Sequence, residues 1–487
     1  MQARSNTVDL FTIQIKEHMN DDFIIIDHKE TLNNAIAKLQ AEKKSSILVI
    51  KDNVLSGIIT EQDIVRKVTL QENQNNSLTS VMTQPVISVN EDDLLFYAVG
   101  KMRKNKFRHI PVINKELYPV GIIDLQSALA AELGTIIHEI DQLSYDDDST
   151  ESLIKIKKQQ ISLTETLINQ NASPGDISYL LSFLNNVIYR RAVKIAEKKI
   201  QEKNILATIP NYCVIVMGSG GRMESFLHPD QDNGIIYDNH GDDPKQVDLY
   251  FLELAKEFTK ILDECDIPYC KGDLMASNKL WRKSISDWKK QIDQWTSDMT
   301  VQNSRYIDML YDFRSVYGKE ELADELRKHV IEKLQGNHVL KFLYKSEEMT
   351  SSGINFFGGF ILEKEDEENL GLLNLKHTGT LPLIESIRLY SIKYGITNVS
   401  TTSRLKGLQD KGVFTEDEHN FFKSAFKFLS DILLKNQVER AKQGKVIKNF
   451  IDPKKLLDLD KQLLKIYLKK IKNLKERARG DFGEEYF

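Results

Sequence analysis

A chain of 487 residues, 41% hydrophobic and 28% charged, is ordinary for a globular protein but too long for one compact core, so several domains are expected. Its formal charge of −5 gives no electrostatic basis for coating nucleic acid, and no apolar run approaches the roughly 20 residues a membrane-spanning helix needs. Cys213, Cys265 and Cys270 make neither a full disulfide set nor a metal-ligand spacing, and the first 19 residues lack the apolar stretch of a secretion signal. Buried thiols in the reducing cytoplasm are the expectation.

Two stretches of the first third read as one unit written twice, over about 15–70 and 78–133. Each opens on a Met-containing turn, His18-Met19 or Val81-Met82. Each continues through a short β-branched strand (Phe23 to Ile26, Val86 to Val89), an amphipathic helix and a second strand (Ile47 to Ile50, Ile110 to Ile113). A tight turn and a third strand follow, Val54 to Ile59 and Tyr118 to Ile123. Such self-similarity predicts two βαββα repeats, each covering the other's sheet. The spacing of apolar residues then predicts a helical connector over 134–203, punctuated at Asp146-Asp147-Asp148-Ser149 and at Ser173-Pro174-Gly175.

A mixed α/β core is expected over 204–318. It comprises a strand Tyr212 to Met217 ending at Gly218-Ser219-Gly220-Gly221, a strand Asn233 to Tyr237, and an amphipathic helix Gln246 to Glu264. A helix Trp281 to Trp295 and a strand Arg305 to Phe313 complete it. From 319 to 487 the pattern is mainly helical, with one hairpin, Asn355 to Leu362 paired with Gly371 to Lys376. The basic stretch Lys461 to Arg479 carries interleaved acids and reads as a solvated helix face.

In the first repeat, Thr60 and Asp63 open a helix after a strand. There a hydroxyl and exposed amides can meet phosphate while a carboxylate accepts ribose hydroxyls. The same Thr-x-x-Asp is also a plain capping box, and both readings stay open. The repeats resemble cystathionine-β-synthase (CBS) domains, with landmarks at Gly57-Ile58-Ile59-Thr60-Glu61-Gln62-Asp63-Ile64 and Phe107-Arg108-His109-Ile110-Pro111-Val112. The resemblance implies a paired module, dimerisation through that pair, and AMP, ADP or ATP in the cleft between repeats. The second repeat has Asp124-Leu125-Gln126-Ser127 where Thr-x-x-Asp would stand, so one nucleotide site at most is expected.

The stretch Gly218-Ser219-Gly220-Gly221-Arg222-Met223-Glu224, followed by Asp230-Gln231-Asp232, has a chemical logic of its own. Glycines let backbone amides approach a triphosphate, and Ser219 adds a donor. Carboxylates two apart on a strand share a side and can hold divalent cations against phosphates. Arg222 supports the loop or neutralises phosphate, with Glu224 as its partner. Asp312, at the end of an apolar run and before Arg314, is the expected third carboxylate, and Asp308 the reserve. Ser277 and Asn278 are candidates to read base or ribose, or else cap the Trp281 helix. Lys376 and Arg404 are candidates for triphosphate.

This pattern resembles the DNA-polymerase-β-like nucleotidyltransferase superfamily. From about Leu153 onward the chain is similar to CBS-linked nucleotidyltransferases, whose core is like the N-terminal region of protein-PII uridylyltransferases. Tyr269-Cys270-Lys271-Gly272-Asp273-Leu274-Met275-Ala276-Ser277-Asn278 with Trp281, Asp312-Phe313-Arg314, Thr402-Ser403-Arg404-Leu405 and Asn449-Phe450-Ile451-Asp452-Pro453 carry the match. It implies transfer of an NMP from an NTP to a protein or small-molecule hydroxyl, with Mg²⁺ or Mn²⁺ on Asp230, Asp232 and Asp312. A PII-like regulator is one acceptor it suggests. Pro229 departs from the small hydroxyl residue frequent before the first Asp, and no His-Asp phosphohydrolase motif follows. A non-catalytic nucleotide sensor that controls a partner is the alternative.

Overall fold

A computed structural model describes residues 14–61, 63–64, 77–93, 95–105, 107–124, 149–169, 171–238, 243–334, 337–347, 353–355 and 357–483. The chain divides into two compact units, Met1–Leu143 and Ser144–Phe487.

In the smaller unit the repeat is plain. Strands β1 (Ile24–Asp27), β2 (Ser46–Lys51) and β3 (Val54–Thr60) form one sheet, and β4 (Val89–Asn90), β5 (His109–Ile113) and β6 (Pro119–Asp124) form another. In each, the first pair is parallel and the second antiparallel, with α1 (Leu32–Glu42) or α2 (Leu95–Lys104) making the parallel crossover. The Met-containing turns explain why the repeats need each other. Asn20 pairs with Ile122 of the other repeat, and Thr83 with Ile58. A side chain at Gly57 would lie 2.5 Å from Met82 Sδ, and one at Gly121 would lie 2.6 Å from Met19 Sδ. Each repeat therefore lays its opening methionine on a bare patch of the other's third strand. The predicted extents beyond Ile64 and Asp124, and the Asp146 to Asp148 loop, lie outside the described residues.

The larger unit is built on a four-stranded mixed sheet in the order β10 (Arg314–Gly318), β7 (Tyr212–Val216), β8 (Asn233–Tyr237), β9 (Arg282–Ser284). β7 is antiparallel to both neighbours, and β9 runs parallel to β8. Helices α3 (Thr150–Asn169) and α4 (Pro174–Gln201), in the stretch expected as a helical connector, fall within this unit. α4 buries side chains around most of its circumference and packs on α6 (Pro244–Glu264), while the short α5 (Gly218–Arg222) follows β7.

Three expectations fail here. The predicted strand 305–313 is the helix α8 (Val301–Tyr311), which follows α7 (Ile285–Ser297). Thr300 caps it by accepting the Asn303 amide at 3.1 Å, and its buried Ser304, Ile307, Leu310 and Tyr311 follow helical spacing. The predicted hairpin partner 371–376 pairs elsewhere: β11 (Leu373–Asn374) is antiparallel to β12 (Phe450–Ile451). Residues Arg282 to Ser284, expected as helix, form β9 instead.

The remaining helices are α9 (Glu320–Lys333), α10 (Asn337–Glu347), α11 (Leu381–Lys393), α12 (Thr401–Asp410), α13 (Glu416–Lys442) and α14 (Asp458–Phe482). A π-helical turn, Lys376–Thr380, leads into α11. One apolar core runs from Cys213 and Ile215 of the sheet through Trp281, Trp288 and Trp295 to Leu429, Leu468 and Phe482. No described helix is long and apolar enough to cross a membrane.

Replacing Gly121 by Val drives a branched side chain into Met19. The expected cost to the smaller unit is about 1–3 kcal/mol, read as a lower urea midpoint of its transition in the full-length chain. Met19→Ala in the same chain is expected to restore part of it.

Candidate functional site

The residues 230–232 sit where the chain enters β8. Gln231 is fully buried, and its side-chain amide donates to the carbonyls of Thr259 (2.9 Å) and Ile267 (2.8 Å), while its backbone amide donates to Pro268. Alternation then turns the flanking Asp230 and Asp232 to the other side. Sequence reasoning passed over Gln231, although a polar residue between two acids at a strand entry is the signal. Met217 donates its amide to the Asp232 carbonyl at 2.9 Å, bringing the glycine turn beside the carboxylates.

Gly218 has φ +57, and a side chain there would stand 3.1 Å from Asp232 Oδ2, so the turn is shaped around that carboxylate. Asp232 Oδ1 is closed off from solvent and accepts no hydrogen bond. Burial, and then the charge of Asp230, push the Asp232 carboxyl up to about 7. An orphaned carboxylate oxygen beside a second carboxylate is a donor set that suits a divalent cation. One ligand atom each from Asp230, Asp232 and Cys270 lie within 4.8 Å of one another.

Asp312 stands outside that group. It is the fully buried cap residue after α8, and its Oδ2 accepts from Arg222 Nη1 (2.7 Å) and Arg388 Nη1 (3.0 Å), its Oδ1 from Arg404 Nη2 (2.6 Å). Despite its burial, the three guanidinium charges hold its carboxyl well below the usual range. Both oxygens are thus committed to arginines, which corrects the expectation of a metal ligand at this position. The reserve candidate, Asp308, is engaged by Arg388 at 2.5 Å, and burial raises its pKa. Arg222 also donates to Glu224 (2.8 Å), and Glu224 accepts the amide and hydroxyl of Thr401 at the start of α12. Arg222 and Arg404 are therefore occupied as braces. Gly221 lies so close to Asp312 that a Cβ would stand 1.9 Å from its carbonyl oxygen.

A cavity of about 510 Å³ opens beside the motif, lined by Ser219, Arg222, His228, Lys376, Phe226 and Phe426 among others. A second, about 340 Å³, shares Ser219 and Pro229 with it and reaches Gly220, Asp230, Asp232, Tyr189 and Asn185. Ser277 and Asn278 line neither. Asn278 accepts the Leu280 amide at 3.0 Å and donates to Asp273 at 2.9 Å, so it caps the turn before β9. Unforeseen from sequence was Lys157, fully enclosed, which donates to the Leu227 carbonyl (2.8 Å) and to Gln160 (3.1 Å) and thereby ties α3 to the motif loop.

In the smaller unit Thr60 and Asp63 hold each other. The Thr60 hydroxyl donates to Asp63 Oδ2 at 2.6 Å and accepts the Asp63 amide at 3.2 Å. Asp124 of the second repeat lies 3.3 Å from His109, whose other neighbour is the Ser45 hydroxyl at 3.0 Å.

Family models match most of the chain. CBS domains match at 15–69 and 78–134, "Putative nucleotidyltransferase DUF294" at 158–302, and "Putative nucleotidyltransferase substrate binding domain" at 337–482. The chain belongs to the CBS-linked nucleotidyltransferases. The larger cavity is lined by residues from both the nucleotidyltransferase and the substrate-binding segments.

Among curated relatives, homoserine O-acetyltransferase of Methanosarcina acetivorans is 30% identical over 119 residues, 24% of this chain and 22% of that protein. Uncharacterized protein MK0525 of Methanopyrus kandleri is 30% identical over 125 residues, 25% of this chain and 63% of that one. The chain thus spans less than two thirds of the length of either. Among solved structures, the CBS pair of protein MJ0100 with 5-methylthioadenosine and S-adenosyl-L-methionine shares 22% identity, with TM-score 0.23, over 25% of this chain and 97% of that one. CBSX2 in complex with AMP shares 19%, with TM-score 0.23, over 25% and 96%.

Asp312→Ala removes the carboxylate that three buried guanidiniums share and is expected to cost the nucleotidyltransferase about 3–5 kcal/mol in denaturant unfolding. Asp230→Asn, at an exposed position, should stay within about 0.5 kcal/mol. Because protonated Asp232 cannot hold a cation, Mn²⁺ affinity should fall up to tenfold per unit as pH drops below about 7 and level off above it. Free Mn²⁺ measured by electron paramagnetic resonance reads this directly.

Proposed function

We propose that the protein moves a nucleoside monophosphate from an NTP onto a hydroxyl of a protein or small molecule, at a rate set by adenine nucleotide at the CBS pair. The orphaned Asp232 carboxylate beside Asp230, at the wall of a cavity shared with Ser219, carries this reading. Asp230 and Asp232 would hold Mg²⁺ or Mn²⁺. Such a cation, when bound, neutralises phosphate charge and polarises the α-phosphorus.

The chain's own groups do the rest. The Ser219 hydroxyl and the Lys376 ammonium face the larger cavity from opposite segments and suit the polyphosphate, while Phe226 and Phe426 offer apolar surface for a base. The acceptor oxygen forms a bond to the α-phosphorus as the bond to pyrophosphate breaks. Of the cavity's titratable groups, Glu224 is committed to Arg222 and Thr401, which leaves the His228 imidazole to take the hydroxyl proton; its Nδ1 lies 3.7 Å from Asp266. Gly218, Gly220 and Gly221 let the backbone come close, and Arg222 fixes the turn. Asn278 and Ser277 act in this reading by shaping the turn before β9.

At the CBS pair, Thr60 would turn its hydroxyl to phosphate and Asp63 its carboxylate to ribose. AMP, ADP or ATP is the proposed ligand, in a homodimer joined through that pair in the cytoplasm. A PII-like regulator is one acceptor of the right class.

The commitment of Asp312 to arginines favours a second reading, a non-catalytic sensor that reports nucleotide to a partner. Incubating the full-length protein with each radiolabelled NTP, a divalent cation and host lysate decides between them. Pyrophosphate release with a labelled acceptor is expected, lost by at least about a thousandfold in Asp230→Asn/Asp232→Asn. Nucleotide-dependent partner binding that survives the double substitution, with no turnover, would establish the sensor instead. Calorimetry on the full chain should show AMP or ATP binding that Asp63→Ala weakens by about tenfold or more.

A further inference from the structure

Cys270 is buried, yet its surroundings are not those of an inert core thiol. The loop that carries it is fastened to the carboxylate segment, since Gln231 donates to both Ile267 and Pro268 just before it. Burial, and then the charge of Asp232, push the Cys270 thiol up to about 12, so a cation bound there displaces the thiol proton. Ligand atoms of Cys270, Asp230 and Asp232 lie within 4.8 Å of one another, and Asp232 Oδ1 accepts no hydrogen bond. Bonds of about 2.1 Å to oxygen and 2.3 Å to sulfur put donors on one tetrahedral ion roughly 3.4–3.6 Å apart, so closing on a cation needs movements of up to about 1.4 Å. Asp312, the carboxylate expected to complete the set, is held by Arg222, Arg388 and Arg404.

We infer that Cys270 supplies the third protein ligand at the cation site, so that the site takes a borderline cation of the Co²⁺ and Zn²⁺ class in preference to Mg²⁺. The inference rests on reading Asp230 and Asp232 as the cation pair and changes which cation they hold. On binding, the S–H bond breaks, a sulfur–metal bond forms and the proton leaves to solvent. Thiolate selects against the hard, strongly hydrated Mg²⁺.

The test is a Co²⁺ titration of the full-length protein, read by absorption. Visible ligand-field bands together with a near-ultraviolet thiolate-to-cobalt charge-transfer band are expected, and Zn²⁺ but not Mg²⁺ should abolish both. Cys270→Ser should lose the charge-transfer band, keep the visible bands and weaken Co²⁺ binding by about tenfold or more. Cys213→Ser and Cys265→Ser should keep every band. Cys270→Asp, which restores an oxygen ligand, covers the case in which the serine variant does not fold, and should bind Co²⁺ without the charge-transfer band. Visible bands with no charge-transfer band in the unaltered protein, or a charge-transfer band that survives Cys270→Ser, overturn the role of Cys270 and leave the carboxylate pair standing. Absence of any Co²⁺ bands overturns both.

Discussion

The larger unit depends on the burial of one carboxylate among three guanidiniums. Asp312 is inaccessible to solvent, and Arg222, Arg388 and Arg404 reach it from the motif turn, from α11 and from α12. Desolvating such charges is costly, and it is offset here because hydrogen bonds are shared among Asp312, Asp308 and Glu224 on one side and three arginines on the other. Such a cluster tolerates only one relative placement of the segments that supply it. It therefore fixes the glycine turn after β7 against the helices that form the far wall of the larger cavity.

That constraint explains the division of labour among the acids. Asp312 keeps the core and the helical part in register, while Asp232, beside Asp230, keeps an oxygen without a protein partner. The second condition is met because Gln231 spends its side chain on the carbonyls of Thr259 and Ile267, anchoring the loop from behind. The carboxylates are thus held near each other by a neutral residue, and the charges of Lys376 and Arg222 offset their burial and repulsion only in part. Mutual repulsion and burial appear as the raised affinity of Asp232 for a proton.

The smaller unit achieves its cohesion differently. Apart from bridges such as Asn20 with Ile122, its two sheets interlock through Met19 over Gly121 and Met82 over Gly57, a flexible side chain on a backbone stripped of Cβ. The reciprocal Thr60–Asp63 bonds show a completed cap at the position proposed to receive a nucleotide. A ligand there would have to exchange those bonds for its own, which couples occupancy to the start of the helix.

Much of this was written in the sequence because it is periodic or local. The doubled strand pattern predicted both three-stranded sheets, and Gly218-Ser219 with Asp230-x-Asp232 marked the turn and the carboxylate pair, since two-residue alternation on a strand is a local rule. The sequence also carried the Arg222–Glu224 pair, only two residues apart. What it did not carry was the fate of side chains whose partners lie far along the chain. Asp312 read as a strand-end ligand, but Arg388 and Arg404, 76 and 92 residues away, decide that it is a brace. Cys270 read as a bulk-filling thiol, but the hydrogen bonds of Gln231 to the loop after α6 bring it to the carboxylates. Local pattern determines which groups share a face, whereas the low dielectric of a folded interior determines which charges remain available, and that is known only once distant segments have met.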